Sequence, residues 1–154
     1  MKPGTRVYVD GPHGVFSMDR RQAPGYVFIA GGVGVTPFVS MLATMRERGD
    51  VRPVTLFYGS PSWDEIVLRE QLAELEAALP NLTLVHVLGR PDPSWTGEAG
   101  RISAELLRRR LPAQFRRYEY LICGPTQMMD AMEDALVEVG VPPARISSER
   151  FDMV

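Results

Sequence analysis

Five short stretches of the chain carry apolar residues at strand spacing, and between them apolar residues recur every three or four positions. The strand stretches are 26–30, 53–59, 82–88, 118–123 and 145–151. The first is apolar or aromatic at every position, the pattern of a strand buried on both faces of a parallel sheet. Phe38, Leu42 and Met45 then fall at helical spacing, and Gly49 marks the stop. Leu68, Leu72, Leu75 and Leu79 share one face of a second helix that Pro80 ends. Ser62 and Glu65 ahead of it have the spacing of a capping box. Ser103 caps a third helix carrying Leu106, Leu107 and Leu111. Thr126 caps a fourth, with Met129, Met132, Leu136 and Val139 on one side and Gly140 after it; a methionine stripe at this spacing reads as core packing.

Five strands alternating with four helices predict an α/β fold, a doubly wound five-stranded parallel sheet with helices on both faces. Right-handed crossovers favour the strand order 3-2-1-4-5. In such a sheet the chain reverses direction between the first and fourth strands, and ligands bind there, outside the carboxyl ends. Two glycine turns fall at that point. One holds Gly31, Gly32, Val33 and Gly34, followed by Thr36 as a helix cap and Pro37 as a first helical residue. The other is Cys123, Gly124 and Pro125. Glycines let a backbone approach a ligand closely, and free N–H groups at a helix start favour an anion, with a phosphate or diphosphate the natural occupant.

The first 22 residues do not read as the start of a domain. Residues 6–10 alternate as a short strand, 11–14 form a turn, and 22–25 read as a linker. A lone strand cannot bury its own apolar face, which implies partner strands elsewhere.

Composition narrows the function. The 154 residues suffice for one domain with a sizeable core, and 45% hydrophobic with 23% charged residues is ordinary for a globular chain. The net charge of −2 gives no basic excess for nucleic acid or an anionic membrane. A single cysteine excludes a disulfide framework and a cysteine-ligated iron–sulfur cluster within the chain. His13 and His86 lie far apart, so no zinc site or other metal site is expected. The chain shows no membrane span or signal peptide and reads as cytoplasmic.

Several motifs together resemble the NAD(P)H-binding half of the ferredoxin-NADP reductase superfamily. They are Gly11-Pro-His-Gly-Val-Phe16, Gly31-Gly-Val-Gly-Val-Thr-Pro37, Phe57-Tyr-Gly-Ser60, Cys123-Gly-Pro125 with Met128 and Met129, and Glu149-Arg-Phe151. Gly-Val-Thr-Pro-Phe and Gly-Pro-His-Gly-Val-Phe look most like the ferric reductase and NADPH oxidase branch. The resemblance implies a flavoprotein in which an upstream β-barrel holds FAD and receives hydride from NAD(P)H lying across the switch point. It implies that Gly32, Gly34, Thr36 and Pro37 cradle the diphosphate, with Tyr58, Gly59 and Ser60 bordering the adenosine ribose. Cys123, Gly124 and Pro125 would lie beside the nicotinamide, Met129 near the adenine side, and Glu149 and Phe151 against the flavin.

Plainer readings stand beside these. Cys123 is equally well a small buried hydrophobe, Tyr58 equally well a packing residue, and Phe151 by default a frayed end or core plug. Trp95 reads as a loop anchor, His13 as part of a turn, and His86 as a satisfied interior or edge residue. Arg108, Arg109 and Arg110 complement a helix C-terminus and face solvent.

The departures from the family shape the expectation further. Arg6-Val-Tyr8 is followed by Val9 and a Gly-Pro turn, so it reads as a last barrel strand and not as the family's flavin motif. Residues 1–22 are then the remnant strand and linker of a FAD-binding barrel, and 23–154 the NAD(P)H-binding domain. The sequence reads as a truncated domain that binds NAD(P)H weakly and reduces nothing by itself. A ferric reductase parent implies a membrane haem segment or an electron-acceptor protein as partner, with this domain on the cytoplasmic side. Pro61 stands where NADP-specific relatives often place a 2′-phosphate arginine, and Arg69, Arg90 and Asp64 are near; this favours NADH slightly over NADPH. The alternative is a free-standing dinucleotide-binding or regulatory module with no redox role.

Overall fold

The computed structural model describes residues 5–6 and 16–150. The expected strand at 6–10, the turn at 11–14 with His13, and Phe151 lie outside the described residues, Arg6 excepted.

The sheet is built on β1 (Tyr26–Gly31), buried at all six positions. It pairs in parallel with β2 (Val54–Ser60) on one side and β5 (Glu119–Cys123) on the other. Beyond β2 lies β3 (Leu82–Leu88), and beyond β5 lies β6 (Ile146–Glu149), both parallel. These five strands have the order expected from the sequence. A sixth, β4 (Glu98–Ala99), extends the edge by pairing with Val87 and Leu88, giving β4-β3-β2-β1-β5-β6. Two residues inside a Pro/Gly-rich loop carry no periodicity, so that strand leaves no mark on the hydrophobic pattern.

Alternate side chains of β1 enter two separate cores. Tyr26, Phe28 and Ala30 pack with α1 (Thr36–Arg48) and α2 (Arg69–Ala78). Val27 and Ile29 pack with α3 (Ala104–Arg110) and α4 (Thr126–Val139). Phe28 stacks on Phe38 with ring centroids 4.8 Å apart. Each such side chain, once withdrawn from water, contributes about 1.5–3 kcal/mol. Met129, Met132 and Leu136 are buried as core, as their spacing predicts.

The helix ends follow the sequence signals only in part. Gly49 and Gly140 close α1 and α4 in the left-handed conformation, φ 63° and 97°. Ser103 Oγ accepts from the Leu106 amide at 3.3 Å, a true N-cap. Thr36 is not a cap: a 3₁₀ turn over Gly32–Val35 runs straight into α1, and Thr36 is its first helical residue. Thr126 likewise opens α4 behind Pro125, with no side-chain cap bond. The Ser62/Glu65 pair closes on itself, Ser62 Oγ donating to Glu65 Oε1 at 2.9 Å, and α2 starts only at Arg69. Ile66 is buried in the core and the Val67 amide is bonded to Tyr58, so tertiary contacts hold residues 61–68 out of the helix.

The stretch 22–25, expected as a linker, is packed. A Cβ on Gly25 would lie 2.6 Å from the Tyr118 ring and 2.8 Å from the Pro53 carbonyl. Just before it, Tyr26 Oη donates to the Met18 carbonyl at 3.1 Å, and Arg48 pairs with Asp19 at 2.9 Å. Arg108, Arg109 and Arg110 face outward and pair with Glu138, Glu105 and Glu98. Trp95 anchors its loop by donating Nε1–H to the Glu98 carbonyl at 3.0 Å.

Candidate functional site

The carboxyl ends of β1 and β5 are adjacent strand ends, with Ala30 opposite Cys123 in register. The two glycine turns therefore meet. Gly34 packs so tightly on the Cys123 carbonyl that a Cβ would collide with that backbone. A Cβ on Gly124 would lie 3.0 Å from the Gly31 nitrogen, and one on Gly31 would strike Pro125 and Met128. Gly32 differs. Its φ is +52°, which favours glycine, and the space around its missing Cβ is empty. Three glycines thus serve the contact between the turns, and the fourth leaves the outer backbone open.

A crevice of about 410 Å³ opens at this junction, within the size range of small-ligand sites. Gly31, Gly32, Gly59, Ser60 and Pro125 line it from the expected positions. α4 begins beside it, with Gln127 and Met128 of its first turn on the wall, so the partial positive charge of that helix start falls there. The 3₁₀ turn that leads into α1 opens on the crevice at Gly32. Arg101 is the single charged side chain among the described lining residues. Ser60 Oγ is buried and has no hydrogen-bond partner. An anionic, hydroxyl-bearing ligand answers each of these features.

Other expected residues sit elsewhere. Tyr58 is fully buried, as is Met129, whose neighbour Met128 takes the crevice side. Val33 is 70% exposed at the tip of the first turn, Thr36 is exposed, and Pro37 lines a different groove beside Met18 and Ser40. Cys123 is fully buried, and Gly124 lies half-buried against Gly31. Burial first, then the Glu149 carboxylate, pushes the Cys123 thiol up to about 11, so it is neutral near pH 7. Glu149 is half-buried on β6, paired in register with Cys123.

His86 corrects an expectation. Its ring packs between Tyr58 and Trp63, with centroids at 5.9 and 5.4 Å, and Nδ1 is buried with no partner. Burial lowers its pKa. Arg69 and Arg90 are both engaged with carboxylates, Asp64 at 3.7 Å and Glu65 at 3.1 Å, and neither lines the crevice.

The pattern of the sequence missed the wall supplied by Val87, Gly89, Gly100, Arg101 and Ile102. Gly100, with φ +95°, is the signal that was available: a glycine obligatory in shape just before an arginine.

Comparison with known proteins places this geometry. Residues 28–134 match the oxidoreductase NAD-binding domain family. The chain belongs to that family. It is 32% identical over 160 residues to NADH-cytochrome b5 reductase 1 of Neosartorya fischeri, an alignment covering 100% of this chain and 52% of the relative. Identity is also 32% to the protein of that name from Debaryomyces hansenii, covering 99% of this chain and 55% of the relative. The chain thus spans about half the length of the curated relatives it matches. Among solved structures, the CS-b5R domains of human Ncb5or in the NAD+ form superpose with a TM-score of 0.75 at 27% identity, over 89% of this chain and 40% of that one. The FAD/NAD-binding domain of nitric oxide dioxygenase from Vibrio cholerae gives a TM-score of 0.78 at 26% identity, over 91% and 56%.

Proposed function

We propose that this chain is the pyridine-nucleotide half of a flavin-dependent reductase, binding NADH in the crevice and presenting it to FAD held outside the described residues. The observation that carries the reading is the interlock of the two glycine turns at the start of α4. That arrangement concentrates backbone donors and positive potential at one diphosphate-sized place. The Gly32 turn and the start of α4 would hold the diphosphate, and Ser60 and Gly59 would meet the adenosine ribose. The nicotinamide would lie by Cys123, Gly124 and Pro125. Bound NADH supplies the hydride chemistry, and the protein supplies orientation. A buried neutral thiol at Cys123 suits steric and polar positioning, not nucleophilic attack. Glu149 and Phe151 are assigned to the flavin side by resemblance.

NADH is preferred over NADPH because Arg69 and Arg90 are already neutralised by acids, and Pro61 lines the crevice where a 2′-phosphate arginine would stand. The relatives named as NADH-cytochrome b5 reductases support the same choice. Those names also support a parent of the NADH-cytochrome b5 reductase kind in preference to the ferric reductase and NADPH oxidase branch, and we propose a haem protein of cytochrome b5 type as its electron acceptor.

Titration of the ¹⁵N-labelled chain with NADH and NADPH tests the reading. Amides of Gly32, Gly34 and Gly124 should shift together, with the tighter affinity for NADH. Unmoved glycine amides at millimolar NADH would remove the assignment. Added free FAD and ferricyanide then separate a redox domain from a binding module: turnover should require flavin.

A further inference from the structure

The resemblance puts Tyr58 beside the ribose, yet its hydroxyl is committed inside the protein. It donates to the Gly32 carbonyl at 3.1 Å and accepts from the Val67 amide at 3.0 Å. The ring is fully buried, so no ligand reaches it. Its two partners belong to different loops. Gly32 opens the glycine turn, and Val67 ends the loop that starts at Pro61; Gly32 and Pro61 both line the crevice.

Both attachment points lie where the backbone is under conformational demand. Gly32 has φ +52°. Leu68, directly after Val67, has φ +56° and is the single non-glycine residue of positive φ among the described residues. A leucine in that region persists only where its surroundings hold it there. The bond to Val67 is one of those constraints.

The Gly32 carbonyl and the Val33 N–H form one peptide unit. An anion accepting from that N–H shifts electron density through the amide toward the carbonyl oxygen, so the carbonyl accepts more strongly from Tyr58. A hydroxyl that donates more strongly also accepts more strongly, here from Val67. Chains of hydrogen bonds strengthen one another in this way, and a buried site amplifies the effect.

We propose that Tyr58 is a positioning residue whose hydroxyl couples diphosphate binding on the Gly32 turn to the conformation of loop 61–67. That loop carries Ser62 and Glu65, and Glu65 also accepts from Arg90 at 3.1 Å. Occupancy of the turn therefore sets the loop nearest the adenosine side. The inference rests on the nucleotide-binding reading above, and it gives Tyr58 a role distinct from ribose contact.

The test compares the wild-type chain with Tyr58→Phe by amide chemical shifts and hydrogen exchange, using NADH and inorganic pyrophosphate as probes. In the wild type both probes should shift the Val67 amide along with Gly32 and Gly34, and NADH should slow its exchange. In Tyr58→Phe the glycine amides should still shift, with a Kd about three- to tenfold weaker, the worth of one net hydrogen bond. The Val67 response should disappear. A Val67 response at saturation equal to that of the wild type overturns the coupling while leaving the nucleotide reading intact. Silent glycine amides in the wild type overturn both. If Tyr58→Phe does not fold, the wild-type chain decides alone: the Val67 amide should shift in step with Gly32 as pyrophosphate is added, and a Val67 amide that stays still while the glycine amides shift overturns the proposal.

Discussion

Gly34 rests on the carbonyl of Cys123 with no room for a Cβ between them. Two turns separated by some ninety residues of chain are thereby joined at van der Waals distance, and Gly31, Gly32 and Pro125 of the same two turns line the crevice. Gly34→Ala should force apart the ends of β1 and β5. Overpacking of this kind costs about 1–3 kcal/mol. At about 2–4 °C per kcal/mol for a domain of this size, calorimetry should show a clear fall in Tm. NADH affinity should fall with it.

Gly32→Ala separates shape from packing. Nothing crowds that position, so the penalty is the positive φ alone, about 1 kcal/mol. The variant should keep most of its stability yet bind NADH weakly, because the part strained is the turn backbone that lines the crevice. A Tm loss as large as that of Gly34→Ala would contradict this division.

Arg101 is the cation of the crevice wall. Arg101→Gln should weaken NADH binding about three- to fivefold at low salt, with the difference shrinking as salt screens the charge. Fluorescence titrations at low and high ionic strength would check both parts. An effect independent of salt would assign Arg101 a packing role.

Pro61→Arg should raise NADPH affinity relative to NADH by about tenfold, since a guanidinium fork matches phosphate oxygens and is always charged. Competition binding with the two dinucleotides reads the ratio. No change in the ratio would mean that the adenosine end does not lie beside Pro61.

The Cys123 thiol, held up to about 11 against an ordinary 9.0, makes stability depend on alkaline pH. The unfolded thiol ionises first, so the folded state keeps its full stability below about pH 8.5 and loses this contribution as pH climbs toward 11. Urea unfolding of wild type and Cys123→Ala from pH 7 to pH 11 should give curves that converge at the alkaline end. Parallel curves would show that the thiol is not shielded. Alkylation by iodoacetamide near pH 8 should be slow in the folded chain and fast in urea.

Much of the fold was legible along the chain. The all-apolar run over β1, the methionine stripe of α4, and the stops at Gly49 and Gly140 are local consequences of burial and backbone freedom, and each stands where the pattern put it. Of the second helix's leucines, only Leu72 and Leu75 lie within it, and Leu68 and Leu79 flank it. The strand order followed because right-handed crossovers leave few topologies. The glycines of both turns were legible for the same reason: only glycine takes those conformations or permits that approach.

What the sequence by itself determined is therefore the α/β architecture, the place of the switch point and the glycine turns that meet there, since these depend on periodicity and steric exclusion between near neighbours. The tertiary structure alone decided which side chains line the crevice. It turned Met128 and not Met129 into the crevice, brought Arg101 to its wall, and held residues 61–68 out of the helix that the Ser62/Glu65 spacing predicted. It also gave the Tyr58 hydroxyl to Gly32 and Val67. Such choices depend on contacts between segments far apart along the chain, and packing between distant surfaces outweighs the small local preferences that a pattern of residues records.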